Sequence, residues 1–193
     1  MPAARARLTL GPAVEALDID WLTDTLAIGA CFPSAAVVHL ARTHRVGCVV
    51  DCRAEACDDQ IALQRHGLSF LHLPTPDKCA IHPAAVRRAV AWVTRALDAG
   101  VRILIHCEFG IGRSALLALC VLVERGLPPL EAMKLVKDVR PIASPSPEQI
   151  HAFLDFARER GRARGDTWQL PSFDALAAIA YRHLTPARAR ISP

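Results

Sequence analysis

Nine consecutive residues, His106-Cys107-Glu108-Phe109-Gly110-Ile111-Gly112-Arg113-Ser114, narrow what this chain can be more than any other stretch. Ahead of them, Val101-Arg102-Ile103-Leu104-Ile105 is short, apolar and β-branched, which predicts a buried parallel strand. Behind them, Ala115 to Glu124 is rich in Ala and Leu and predicts a helix ending near Gly126. A thiol therefore falls where a strand stops, two glycines shape the loop that follows, and an arginine opens a helix.

That arrangement has a chemical meaning. Gly110 and Gly112 admit backbone conformations that a Cβ would block, so successive N–H groups can turn inward as an anion nest. The helix beginning near Arg113 adds the partial positive charge of its N-terminus. A thiol in such a field loses its proton more easily, so Cys107 is expected to be a thiolate at neutral pH. Arg113 offers a planar fork that grips two oxygens of one phosphate, which Lys cannot do. Ser114 can hydrogen-bond the sulfur and ease its departure, while His106 is expected to brace the loop backbone. The chemistry implied is in-line attack of Cys107 on a phosphomonoester, then hydrolysis of the thiophosphate by water.

The spacing H-C-x5-R-S resembles the signature loop of the protein tyrosine phosphatase superfamily, closest to its dual-specificity branch and the atypical members of that branch. The resemblance makes Cys107 the nucleophile, Arg113 the phosphate binder and Ser114 the hydroxyl that assists breakdown of the intermediate. Glu108, Phe109, Gly110, Ile111, Gly112 and Arg113 become the substrate-binding loop, with His106 supporting it. Two further segments match: W-x-T-D-x-L-x-I-G from Trp21 to Gly29, and V-V-D-C-R-A-E from Val49 to Glu55. The resemblance extends over about residues 17–157. It also implies a general acid, an Asp on a loop roughly thirty residues before the Cys. Asp77, in Leu73-Pro74-Thr75-Pro76-Asp77-Lys78, fits that place. Asp58 and Asp59 are the alternatives, but both stand at an expected helix start, where capping accounts for them.

Further along, Arg140-Pro141-Ile142-Ala143-Ser144-Pro145-Ser146-Pro147-Glu148-Gln149 resembles the family's R-P-x-x-x-P-x-x-x-Q run, which borders the active site in relatives. It makes Gln149 a candidate positioner of the hydrolytic water, while Ser146 can cap a Pro147-led helix. Arg140 is expected to support the phosphate loop, and Arg53 to be a solvated residue at a strand end. Some relatives protect their nucleophile as a disulfide with a second cysteine, and Cys52 and Cys57 are equal candidates for that part.

The other elements follow from periodicity. Trp21 to Gly29 reads as a turn and a strand, and Val46 to Asp51 and Leu68 to Leu73 as two more strands. Helices are expected over Ala35 to Thr43 (capped by Ser34), Asp58 to His66, Pro83 to about Ala99, and from Pro128 to before Arg140. Alternating strands and helices predict an α/β fold, a mostly parallel central sheet flanked by helices, with the reactive loop at the C-terminal end of a strand. Residues 1–165 are expected to form the catalytic domain and 166–193 a C-terminal extension. The basic run from Arg158 to Gly165 is expected to be flexible at its end. Phe173 to Leu184 is expected to be a short helix docked through Leu176, Ile179 and Ala180, followed by a basic tail.

Composition excludes other classes. With 193 residues, 52% of them hydrophobic, the chain can bury a sizeable core. Seven scattered cysteines without C-x-x-C spacing argue against a disulfide framework or a structural zinc site. Met1 to Leu10 lacks the apolar run of a secretory leader, and a reducing, cytoplasmic setting suits a thiolate enzyme. Basic runs without interleaved aromatics argue against a nucleic-acid partner, and the most apolar run is too short to span a membrane. The expected partners are a phosphorylated protein or peptide and phosphate-like anions, with no metal or organic cofactor. Glu108, Phe109 and Ile111 stand where phosphoinositide-directed relatives carry lysines, so a lipid headgroup is disfavoured. The other readings weighed are a phosphatase for an RNA 5′ end and a phosphate-binding pseudophosphatase that scaffolds partners. Rhodanese-like cell-cycle phosphatases share H-C-E-F but not the G-x-G-R-S ending. Low-molecular-weight tyrosine phosphatases place C-x5-R near the N-terminus.

Overall fold

A computed structural model describes residues 17–165 and 168–184. Five strands form one sheet: β1 (Ile19–Trp21), β2 (Leu26–Gly29), β3 (Val46–Arg53), β4 (Ser69–Thr75) and β5 (Arg102–His106). Their order is β1-β2-β5-β3-β4, with only the β1–β2 pair antiparallel. The central strand β5 is therefore flanked on both sides, which is why Ile103, Leu104 and Ile105 are all solvent-free. The fold expected from the alternating pattern is the one observed.

The period of two sorts these strands between two cores. Leu26 and Ile28, Cys48, Val50 and Cys52, and Ile103 and Ile105 face one side. There they meet α3 (Pro83–Asp98), α4 (Arg113–Glu124), α5 (Pro129–Val139) and α6 (Pro147–Arg164). Ala27, Val49 and Leu104 face the other side, under α1 (Val37–Arg42) and α2 (Gln60–Arg65). α4 is buried from Arg113 to Val123 because the sheet and α3, α5 and α6 enclose it, which explains a helix apolar all round. The same enclosure pushes the Cys120 thiol far up, so it is inert packing.

Several local expectations are corrected. Ser34 makes no capping bond; it begins a single 3-10 turn, Ser34–Ala36, that leads into α1. Asp59 caps α2, accepting from the Ala62 N–H at 3.0 Å, but Asp58 does not; its carboxylate turns inward to Arg53 and His106. The basic run after Arg158 remains helical to Arg164 and stops at Gly165, whose φ of 68° is the left-handed cap of a helix end. Its arginines pair along the surface, Arg158 with Asp155 and Arg160 with Glu124. α7 (Phe173–Ala180) ends four residues before Leu184 and is capped by Ser172. Leu176 and Ala180 are buried in the larger core, and Ile179 packs at its edge. No helix among the described residues is long and apolar enough to cross a membrane.

Candidate active site

The loop from Cys107 to Gly112 leaves the end of β5 and delivers Arg113 at the first turn of α4. Gly110 has a φ of 67°, and a Cβ there would stand 2.6 Å from the Gly29 carbonyl oxygen, so it is glycine for both reasons. Gly112 differs: its φ is ordinary, and it is small because Gln149 Oε1 would meet a Cβ at 2.6 Å. Cys107 is 3% exposed, with Sγ 3.3 Å from Ser114 Oγ. Burial alone would push its thiol up. The Ser114 hydroxyl and the backbone N–H groups of Ser114, Ile111 and Gly110 outweigh that and hold it below the ordinary value.

Above the sulfur lies an open pocket of about 290 Å³, lined by Asp77, Lys78, Cys107, Phe109, Ile111, Gly112, Arg113, Ser144, Ser146 and Gln149. Cys107, Arg113, Asp77, Phe109, Ile111, Gly112 and Gln149 thus come together as the sequence suggested. Ser114 lies beneath, and Gly110 contributes its N–H toward the sulfur. Glu108 is the exception: its carboxylate turns away to Arg53 at 3.4 Å and does not line the pocket. Phe109, 63% exposed, is an apolar wall at the mouth.

Arg113 is 2% exposed, and its five N–H donors can be counted. Two go to the Glu55 carboxylate, both at 2.7 Å, and a third to the Thr75 carbonyl at 2.9 Å. Nε has no partner among the described residues, and the remaining NH2 hydrogen is on the side of Asp77 Oδ1, 3.5 Å away. Nε and NH2 are one edge of the guanidinium, the edge that fits two oxygens of one phosphate. Arg113 holds the Glu55 carboxyl well down, at about 2. Sequence reasoning matched Glu55 to a family segment without giving it a partner.

Beneath the loop, Arg53 is buried rather than solvated. Its guanidinium bonds Asp51 at 3.0 Å, Asp58 at 2.8 Å and Glu108 at 3.4 Å. Asp58 in turn accepts a hydrogen bond from His106 Nε2 at 2.7 Å, and through it His106 braces the loop at its root. Arg140 does so from the other side, donating to the Gly110 and Phe109 carbonyls, each at 2.8 Å. Asp18 and Asp20, both at 2.8 Å, hold its far side. Gln149 forms a capping box with Ser146 at the start of α6 and donates from Nε2 to the Cys79 carbonyl at 3.0 Å.

Asp51 pairs with His106 across β3 and β5, and the residues that follow them, Cys52 and Cys107, both lie in the larger core. Cys52 is solvent-free, whereas Cys57 is exposed and its Sγ faces the Asp58 carbonyl. The two cysteines are therefore not equivalent.

A thiol beneath inward-turned N–H groups, with an arginine edge and a carboxyl group at the pocket rim, is the arrangement expected of a cysteine-based phosphatase. Residues 30–159 match the dual specificity phosphatase catalytic domain, and the chain belongs to that family. Among solved structures it is similar to Tk-PTP in the active form, at 24% identity over 73% of this chain and 97% of that one, with a TM-score of 0.68. PTPMT1 in complex with PI(5)P aligns at 21% identity over 77% and 99%, with a TM-score of 0.71. Human DUSP28 aligns at 24% identity over 80% and 99%, with a TM-score of 0.63.

Proposed function

We propose that this phosphatase acts on phosphotyrosine in proteins or peptides, with phosphoserine and phosphothreonine as further substrates. Cys107 Sγ attacks phosphorus in line and the ester oxygen leaves with a proton from Asp77, giving a thiophosphate and a free alcohol or phenol. Water then attacks the phosphorus, its proton passing back to Asp77. The sulfur departs as a thiolate toward the Ser114 hydroxyl, and inorganic phosphate is released. Arg113 carries the phosphoryl charge on its free Nε/NH2 edge. The observation that carries this reading is the lowered Cys107 thiol at the base of a pocket that Arg113 and Asp77 close from the side.

Asp77 is supported by what its neighbours are already doing. Asp58 is committed to Arg53 and His106, Asp59 caps α2, and Glu55 is locked to Arg113. Asp77 is 68% exposed and sits at the rim of the pocket, where a leaving oxygen would emerge. Gln149 has one N–H of its amide left for a water, since its oxygen accepts from Ser146 and its nitrogen donates to Cys79.

A phosphoinositide is the second reading, favoured by the likeness to PTPMT1, whose structure holds PI(5)P. Against it, Lys78 and Arg113 are the only cations lining the pocket among the described residues, and Phe109 and Ile111 give its wall an apolar character suited to a phenyl ring. The deciding experiment is hydrolysis of para-nitrophenyl phosphate, phosphotyrosyl peptide and a soluble phosphoinositide between pH 4 and 9 with EDTA present. The expected result is turnover abolished by Cys107→Ser, spared by chelation, and faster on the peptide than on the lipid. Faster turnover of the lipid would replace the substrate class, and activity surviving in Cys107→Ser would remove the mechanism.

A further inference from the structure

One short strap touches both catalytic loops. From Arg140 to Gln149 it runs along the pocket, and the Ser144 N–H donates to the Ile111 carbonyl of the phosphate loop at 2.8 Å. Two residues later it reaches the Asp77 loop. Ser146 Oγ donates to the Lys78 carbonyl at 2.6 Å, Gln149 Nε2 to the Cys79 carbonyl at 3.0 Å, and Glu148 Oε1 accepts from the Ala80 N–H at 2.9 Å. The Asp77 loop needs such holding. Lys78 has a φ of 63°, a left-handed conformation that a lysine does not choose for itself.

The strap is itself held from behind by the C-terminal segment. Tyr181 donates its hydroxyl to the Pro145 carbonyl at 2.6 Å, and Ser144 Oγ reaches the Ala180 carbonyl at 3.4 Å. Lys137 Nζ bridges the Ala143 carbonyl, at 2.9 Å, to His183 Nδ1, at 2.7 Å. α7 supplies the rigidity, with Leu176 and Ala180 fully buried against α5 and α6. Burial pushes the Tyr181 phenol up, so it stays a donor across the working pH range. Prolines on both sides of Ser146 stiffen the strap, so a fix at Pro145 is transmitted to Ser146 rather than absorbed.

We infer that Tyr181, which lies beyond the residues matched to the phosphatase family, is a positioning residue for the Asp77 loop, acting through Pro145 and Ser146. This rests on the assignment of Asp77 as the general acid. The phosphate loop depends on Tyr181 less, because Arg140, at the start of the strap, is anchored by Asp18 and Asp20 and donates directly to the Gly110 and Phe109 carbonyls. Loss of the hydroxyl therefore withdraws the acid and leaves phosphate binding intact.

The test is Tyr181→Phe in the full chain, which keeps the ring and its packing. Turnover is measured on two aryl phosphates, one whose phenol is strongly acidic and leaves without help, and phenyl phosphate, whose leaving oxygen needs a proton. The expected result is about a fivefold lower kcat/KM on phenyl phosphate, the kinetic equivalent of one ordinary hydrogen bond. That ratio reports the transfer to Cys107 and not the later hydrolysis that Asp77 also serves. The expected change on the acidic phenol is under about twofold, with tungstate inhibition unaltered. In an Asp77→Asn background, adding Tyr181→Phe should change nothing further, since the group it positions is gone. Parental kinetics in Tyr181→Phe, an equal loss on both substrates, or an undiminished loss in the Asp77→Asn background would overturn the inference. If Asp77→Asn alone shows the parental response to leaving group, the acid assignment falls and this inference with it. If Asp77→Asn is selective and Tyr181→Phe is not, only this inference falls.

Discussion

Glu55 is the most informative residue to perturb, because its carboxylate occupies two donors of the arginine that must hold phosphate. Two opposite consequences are conceivable for such a contact, and the donor count separates them. If Glu55 competed with phosphate, it would cover the edge that substrate needs. It takes instead one N–H from each of NH1 and NH2, and Nε stays without a partner. Glu55 therefore fixes the plane of the guanidinium and leaves the Nε edge presented to the pocket. The shift of its carboxyl from 4.5 to about 2 corresponds nominally to about 3 kcal/mol. Its side chain is 45% exposed, so solvent screening reduces the contribution to stability to about 1 kcal/mol. The sign follows from the depression: this stability is present above the ordinary carboxylate range and is lost as pH falls from about 4.5 toward about 2. Freed from the Glu55 carboxylate, Arg113 retains the Thr75 carbonyl and the longer contact with Asp77, and gains rotamers that miss the phosphate. Glu55→Ala is expected to lower kcat/KM for para-nitrophenyl phosphate about tenfold, and Glu55→Gln, which keeps one acceptor, about threefold. Tungstate inhibition should weaken in parallel, since the fork already acts in the ground state. A Glu55→Ala enzyme that binds tungstate more tightly than the parent would refute the reasoning and make the carboxylate a competitor.

Other perturbations test the remaining parts. Cys107 is expected to form a disulfide with Cys52, which shares its buried cluster, when peroxide oxidises the Cys107 thiolate to a sulfenate and the Cys52 thiol displaces its oxygen as water. With peroxide in excess, activity should then return with dithiothreitol in the parent and in Cys57→Ser, but not in Cys52→Ser, where the unprotected sulfenate goes on to the irreversible sulfinate; full recovery in all three would exclude the pairing. Removing the buried guanidinium in Arg140→Ala strips the Gly110 and Phe109 carbonyls of their donors and is expected to cost about 2–4 kcal/mol, read as a lower urea midpoint at unchanged slope. Lys137 is pulled down to about 8 by burial and by Arg182, so between there and its ordinary value of 10.5 this residue binds more protons in the unfolded chain than in the folded one. Its own contribution to stability should rise with pH across that window by up to about 3 kcal/mol, against the opposite contribution of the buried thiols, and Lys137→Met should remove it, read as the difference between parent and variant in urea titrations at pH 8 and 10. An identical pH slope in the variant would place the titrating group elsewhere.

What the sequence disclosed and what it hid divide along the range of the interactions. β5 and α4 are legible because a strand's period of two and a helix's burial are written in adjacent residues, and the spacing from Cys107 to Arg113 is set by the loop's own backbone. Gly110 is legible for the same reason. Gly112 was expected to serve conformation, but what keeps it small is Gln149, which only the folded chain brings near. Some charged residues with remote partners were misjudged, although Arg140 was not. Arg53 meets Glu108 across 55 residues, Asp58 meets His106 across 48, and Glu55 meets Arg113 across 58. Taken singly, Arg53, Asp58 and Glu55 look like surface charges or caps, which is the commoner use of their types. One local trace of the network existed. Asp51 and Arg53 alternate at the end of a strand whose other residues are apolar, and charges on a buried strand must find partners. That pattern points to pairing without saying with whom. The strap and Tyr181 left no such trace, because a tyrosine thirty-six residues from the carbonyl it holds has no spacing to betray it. The family's own motifs end before Tyr181. Its influence on the Asp77 loop therefore belongs to this chain's C-terminal segment rather than to the shared catalytic pattern, and it is there that chains with the same nine-residue loop can come to differ in how firmly the acid is held.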